Sequence, residues 1–161
     1  MIFVTIGTHP GQFDRLIKRI DEIAPHIKEK IIIQTGFTKY VPKNVEHFVF
    51  AESLEPYFRD ARLVISHSAT SLLEFVLSNK KPIITVPRQK KFGEHINDHQ
   101  VEFAEALHLR TGIKVILNIQ DITPQLLKEY KTVPIIKKDN LVKLQSFFKK
   151  IFKEIENEQR K

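Results

Sequence analysis

An α/β fold with a Rossmann-like parallel sheet and helices on both faces is predicted by two features of this chain. Short runs of consecutive apolar residues recur, and segments of helical period lie between them. A strand buried on both faces needs apolar side chains at successive positions rather than at alternate ones. Ile2–Ile6 opens the chain in that way and leads into the turn Gly7-Thr8-His9-Pro10-Gly11. Phe13, Leu16, Ile17, Ile20 and Ile23 then recur at helical spacing, and Pro25 closes that helix.

Ile31–Gln34 is predicted as the second strand and Phe48–Phe50 as the third. A short helix over Leu54–Asp60, capped by Ser53, precedes the fourth strand, Leu63–Ile65. That strand feeds the turn Ser66-His67-Ser68-Ala69-Thr70-Ser71, after which a helix is expected over Leu72–Leu77. Ile83–Val86 is the fifth strand, Val101–Leu107 sits in the next helix, and Lys114–Leu117 is the sixth strand. Thr123 is placed to cap a helix over Pro124–Lys128.

Composition narrows the class. A chain of 161 residues with 42% hydrophobic and 28% charged side chains suits one globular domain with one core. The absence of cysteine excludes disulfides and thiolate metal sites and is compatible with a reducing cytoplasm. MIFVTIG lacks the basic start of a signal peptide, and no apolar run approaches the ~20 residues that span a bilayer. A soluble or peripheral protein is therefore expected.

The formal charge is +7, and residues 137–161 carry eight basic side chains against four acidic ones. In the same region Leu141, Leu144, Phe148, Ile151 and Ile155 recur at spacings of three and four. This predicts a domain over residues 1–134 followed by a basic amphipathic helix over 135–161. A nucleic acid, an anionic membrane face or a phosphorylated ligand would each suit the charge. The nucleic-acid reading lacks interleaved basic and aromatic residues, and there is no tryptophan.

Three loops at the carboxyl ends of strands are unusually polar: 7–11, 66–71 and 87–100. In a parallel sheet such loops converge on one edge, where open α/β folds bind ligands. The first two enter helices, whose N-termini suit a diphosphate, and Thr8, Thr70 and Ser71 offer hydroxyl donors or ordinary caps. Glu74 lies three residues beyond Ser71. It either completes a capping box or accepts the vicinal hydroxyls of a ribose, and local pattern favours the box. His95 and His99 are four apart but lack a clear third ligand for zinc. His99 and Gln100 are better placed to donate hydrogen bonds to sugar hydroxyls or phosphate. His67 is open to three roles: phosphate ligand, general base or turn residue. Arg88, Lys90 and Lys91 form a basic cluster, which is either a binding patch or a solvated loop. The first turn, GTHPG, is not the GxGxxG of a dinucleotide oxidoreductase.

MIFVTIGTH with FDRLIK, then VISHSATSLLE, then KKPIITVPRQKKFGEHINDHQVEFA carry a family resemblance over about residues 1–117. These segments resemble the C-terminal, donor-binding half of family 28 glycosyltransferases, especially the short split versions that make bacterial capsule and exopolysaccharide. The resemblance implies one half of a GT-B fold that holds a UDP-sugar. It implies that Glu74 binds ribose, overriding the capping box. Gly7, Thr8, Thr70 and Ser71 would hold the diphosphate, with His67 and Arg88 in the same nucleotide-sugar site. Asn97, His99 and Gln100 would face the sugar. The family's middle turn carries glycine and places its glutamate one residue further on; here Ser68-Ala69-Thr70-Ser71 has none.

The resemblance further implies an inverting transfer of a hexose to a lipid-linked acceptor, with helix dipoles and loop donors stabilising UDP, and with neither cofactor nor metal. The base is unassigned, with His9 and His67 the candidates on this chain. A membrane-associated subunit would supply the acceptor domain, and Leu141, Leu144, Phe148, Ile151 and Ile155 would dock there, recruiting a cytoplasmic protein to the inner face of the cell membrane. A non-catalytic stabilising subunit is the alternative, followed by a basic nucleic-acid-binding module.

Overall fold

The computed structural model describes residues 1–68 and 80–134. The expected helix over 72–77 and the tail beyond 134, with Leu141, Leu144, Phe148, Ile151 and Ile155, lie outside the described residues. Six strands form one sheet: β1 (Ile2–Thr5), β2 (Ile31–Gln34), β3 (Glu46–Phe48), β4 (Leu63–Ser66), β5 (Ile83–Thr85) and β6 (Lys114–Val115). Among the described residues four α-helices are interleaved: α1 (Asp14–Ile23), α2 (Glu55–Asp60), α3 (His99–Thr111) and α4 (Pro124–Glu129). Every strand pair is parallel, and the order is β3-β2-β1-β4-β5-β6. Strand order reverses between β1 and β4, so that gap is the topological switch point, the place where open α/β sheets bind ligands.

Alternation along the strands splits the core in two. Ile2, Val4, Ile33, Leu63, Ile65 and Ile84 face α1, burying Phe13, Leu16, Ile17 and Ile20, with Leu127 of α4 on the same side. Phe3, Ile32, Val64 and Ile83 face the other way, onto Phe58 of α2 and Phe103 and Leu107 of α3. Both faces are covered, which is why the inner strands β1, β2, β4 and β5 carry apolar runs. Phe3 stacks on Tyr57 at 5.2 Å and meets Phe58 edge-on at 5.2 Å, filling the centre of the second layer.

The differences from expectation lie at element ends and edges. β3 covers Glu46–Phe48 instead of 48–50, with Ile32 opposite Glu46 and Gln34 opposite Phe48. An edge strand need not be apolar, so exposed Glu46 and His47 pair while Val49 and Phe50 run past the sheet into solvent. α3 contains Val101–Leu107 as expected and runs on to Thr111, where Gly112, at φ 70°, ends it. β6 stops at Val115, since the Leu117 carbonyl turns to accept from Gln89 Nε2 at 2.7 Å. β1 ends at Thr5 and β5 at Thr85, each one residue short of the apolar run. Ser53 Oγ accepts from the Glu55 N–H at 3.2 Å, although Leu54 occupies the cap position. Thr123 caps α4 as expected, accepting from the Leu126 N–H at 3.1 Å.

Candidate active site at the β1–β4 switch point

The candidate site lies between the exits of β1 and β4. Gly7 follows β1 with φ 71°, a left-handed conformation that side chains resist. His67 follows β4, is buried, and lies against Gly7 so closely that a Cβ there would sit 2.4 Å from its Cε1. Behind Gly7 the exit of β2 closes in the same manner: a Cβ on Gly36, at φ 51°, would lie 2.8 Å from the Gly7 carbonyl. Three successive strand exits thus touch through two glycines, and backbone forms the floor.

His67 is neutral here. Burial, reinforced by the Arg88 charge, drives its pKa down to about 3. Its Nδ1 is buried with no hydrogen-bond partner among the described residues. Below it Ser68 Oγ and Thr85 Oγ1 share a hydrogen bond of 2.9 Å, which ties the β4 exit to β5.

Arg88 does not lie on the surface with Lys90 and Lys91. Its side chain is fully buried and its guanidinium runs beneath the first turn, 4.8 Å above the Phe13 ring. Nη1 donates to the carbonyls of Gly11 and Gln12, both at 2.8 Å, and Nη2 donates to that of Ile6 at 3.1 Å. Burial lowers its pKa to about 10, against the pull of nearby Glu94. The Arg88 N–H donates to Gln100 Oε1 at 3.1 Å, which commits the Gln100 amide to the loop.

The β5–α3 loop is anchored a second time. Glu94, itself buried, accepts from Arg15 Nε at 2.9 Å and Nη2 at 3.0 Å, and from the Gln89 N–H at 3.0 Å. Arg15 also lies 4.6 Å from the exposed Phe92 ring. Neither Arg15 nor Glu94 stands out in the sequence, because 79 residues separate them and no local pattern links them.

The remaining predicted residues divide. Gly7 and His67 meet at the switch point, and Thr8 and His9, next along the first turn, are exposed. His9 stacks on His95 across the two loops, with centroids 5.2 Å apart. Burial, Arg88 and His95 together lower the His9 pKa. Asn97 Oδ1 accepts from the His99 N–H at 3.4 Å, and the His99 ring turns to Glu102 Oε2 at 3.4 Å. His95 and His99 therefore point to different partners. Thr70, Ser71 and Glu74 lie outside the described residues.

A sheet of order 3-2-1-4-5-6 with its switch point at the β1–β4 gap is the frame of nucleotide-binding α/β domains. The model of the glycosyltransferase family 28 C-terminal domain matches residues 1–155. The chain belongs to this family. Among curated relatives of this family 28 domain, the human UDP-N-acetylglucosamine transferase subunit ALG13 is 33% identical over 122 residues. Its mouse counterpart is 30% identical over 119. Each match covers 66% of this chain but only 10% of the relative. Solved structures share the fold. MurG of Acinetobacter baumannii superposes with TM-score 0.56 at 17% identity, covering 80% of this chain and 41% of that one. The glycosyltransferase SnogD from Streptomyces nogalater gives 0.55 at 18% identity, covering 81% and 34%. Family 28 membership and the six-stranded parallel sheet agree with the GT-B half that the motifs imply.

Proposed function

We propose that this chain is the UDP-sugar-binding subunit of a two-component inverting glycosyltransferase. The ALG13 relatives make UDP-N-acetylglucosamine the first donor to test. In this reading a hexose passes to a lipid-linked acceptor at the inner face of the cell membrane, in capsule or exopolysaccharide synthesis, and a membrane-associated partner binds that acceptor. The observation that carries the reading is the close contact at the switch point, where Gly7 brings bare backbone against His67 in a family 28 domain.

Its chemistry suits a departing diphosphate. Backbone N–H groups of a glycine turn approach anionic oxygens closely, and a neutral, buried His67 adds a donor without a competing charge. A base with a pKa of about 3 takes up a proton poorly at neutral pH, so His67 is better suited to binding than to activating the acceptor. The base is assigned to the partner, and no cofactor or metal enters the scheme. Glu74, Thr70 and Ser71 complete the donor site in this proposal, and the apolar stripe from Leu141 to Ile155 docks on the partner.

Thermal unfolding with UDP-sugars tests the reading. Ligand at a hundred times its dissociation constant adds about 2.7 kcal/mol of apparent stability. The expected result is a shift with UDP and UDP-N-acetylglucosamine, absent with ADP and NAD, and lost in Glu74→Ala. The glycine-free stretch 68–71 favours a second reading, a non-catalytic stabilising subunit. In that case Glu74→Ala in the co-expressed complex would leave sugar transfer intact, while deletion of residues 141–155 would abolish it.

A further inference from the structure

Arg88 is the largest fully enclosed side chain among the described residues, and it is a cation. Removing a charge from water costs several kcal/mol unless an opposite charge compensates it. Among the described residues no carboxylate forms an ion pair with Arg88. Glu94 is felt at a distance, but its oxygens are engaged by Arg15 and the Gln89 N–H. Arg88 Nε is buried without a partner among the described residues. An apolar side chain over Phe13 would fill this space at lower cost, so the charge needs another explanation.

The three acceptors suggest one. Ile6 precedes the exposed part of the first turn, while Gly11 and Gln12 follow it, so the planar fork pins both ends of the segment Gly7–Pro10. With those carbonyls drawn inward, the Thr8 and His9 N–H groups have no hydrogen-bond partner among the described residues. The charge also reaches the switch point, since it depresses both His67 and His9.

We propose that Arg88 is a positioning residue for the diphosphate of a bound nucleotide: its fork shapes the first turn, and the diphosphate at the switch point is its missing counter-ion. The inference rests on the donor-binding reading above and adds to it that Arg88 acts from beneath the backbone without touching the ligand.

The test compares UDP with uridine, which carries no phosphate, binding to the full chain by calorimetry and NMR titration. Removing a unit charge near the diphosphate in Arg88→Met is expected to weaken UDP at least about tenfold. Uridine should change less than about twofold, since it has no charge to lose. A purely structural role would lower both together, and that outcome, or unchanged UDP binding in the folded variant, overturns the inference. Arg88→Lys keeps the charge and decides the matter should Arg88→Met not fold. Its preference for UDP over uridine is expected within about threefold of wild type, with His9 still titrating low by NMR, whereas a tenfold loss of that preference overturns the charge argument. Wild-type protein that binds neither ligand would instead sink the donor-subunit reading itself.

Discussion

The Cα hydrogens of Gly7 face the His67 ring across a gap with no room for a methyl group: a Cβ would stand 2.4 Å from Cε1 and 2.8 Å from Nε2. The φ of 71° adds a second penalty for any other residue. Gly7→Ala is therefore expected to cost about 2–4 kcal/mol, the sum of backbone strain and overpacking. Urea unfolding of Gly7→Ala, His67→Ala and the double variant separates the two. His67→Ala should restore the packing share and leave about 1 kcal/mol of backbone strain.

His67 also makes a prediction about acid. Its pKa falls from 6.5 in an open chain to about 3 in the fold, so the unfolded state binds the proton first. Its contribution is fully present above pH 6.5 and is lost as pH falls from there toward 3. The slope is about 1.4 kcal/mol per pH unit across that window. Stability measured against pH should flatten over this range in His67→Gln. An unchanged acid limb would refute the assignment.

Asp21 clamps the segment between β2 and β3. Its buried carboxylate accepts from Tyr40 Oη at 2.7 Å, the Asn44 N–H at 2.7 Å and the Lys43 N–H at 3.0 Å. Burial alone would raise its pKa, but these donors outweigh that and lower it below 3.8. Its stabilisation is thus present above the unfolded value and disappears as pH falls through the folded one. Tyr40→Phe should cost about 1 kcal/mol and Asp21→Ala about 3 kcal/mol, read by denaturant midpoints.

Glu94→Ala strips Arg15 and the Gln89 N–H of a buried acceptor at once. Breaking such a pair from one side costs about 3–5 kcal/mol. The loss should be local before it is global: amide exchange in residues 87–98 is expected to quicken more than in β1 or β4. Uniform acceleration would mean that the ion pair supports the whole core rather than this loop.

Much of the frame was legible because β1, β2, β4 and β5 are buried on both faces and carry their own apolar runs. Ile2, Ile31, Leu63 and Ile83 each open a strand where expected. β3 was misplaced because an edge strand is held by backbone pairing, which leaves Glu46 and His47 free to be polar. Gly7 and His67 were legible as residues following strands, since the turn chemistry is local. Arg88 drew notice as part of a basic loop, but nothing within ten positions of it reveals that its partners are Ile6, Gly11 and Gln12. The Arg15–Glu94 pair was invisible for the same reason. Side chains that cross the sheet edge are specified by topology, and topology is read only after the strands are ordered.

The Arg88 fork also has a bearing on synthesis. Its acceptors lie 76 to 82 residues upstream, at the very start of the chain. In a nascent polypeptide β1 and the first turn are made well before the segment bearing Arg88 is translated. The Ile6, Gly11 and Gln12 carbonyls on either side of Gly7–Pro10 must therefore wait for this donor until β5 docks and brings the guanidinium beneath them. A turn encoded well before β5 thus depends on β5 for its final shape.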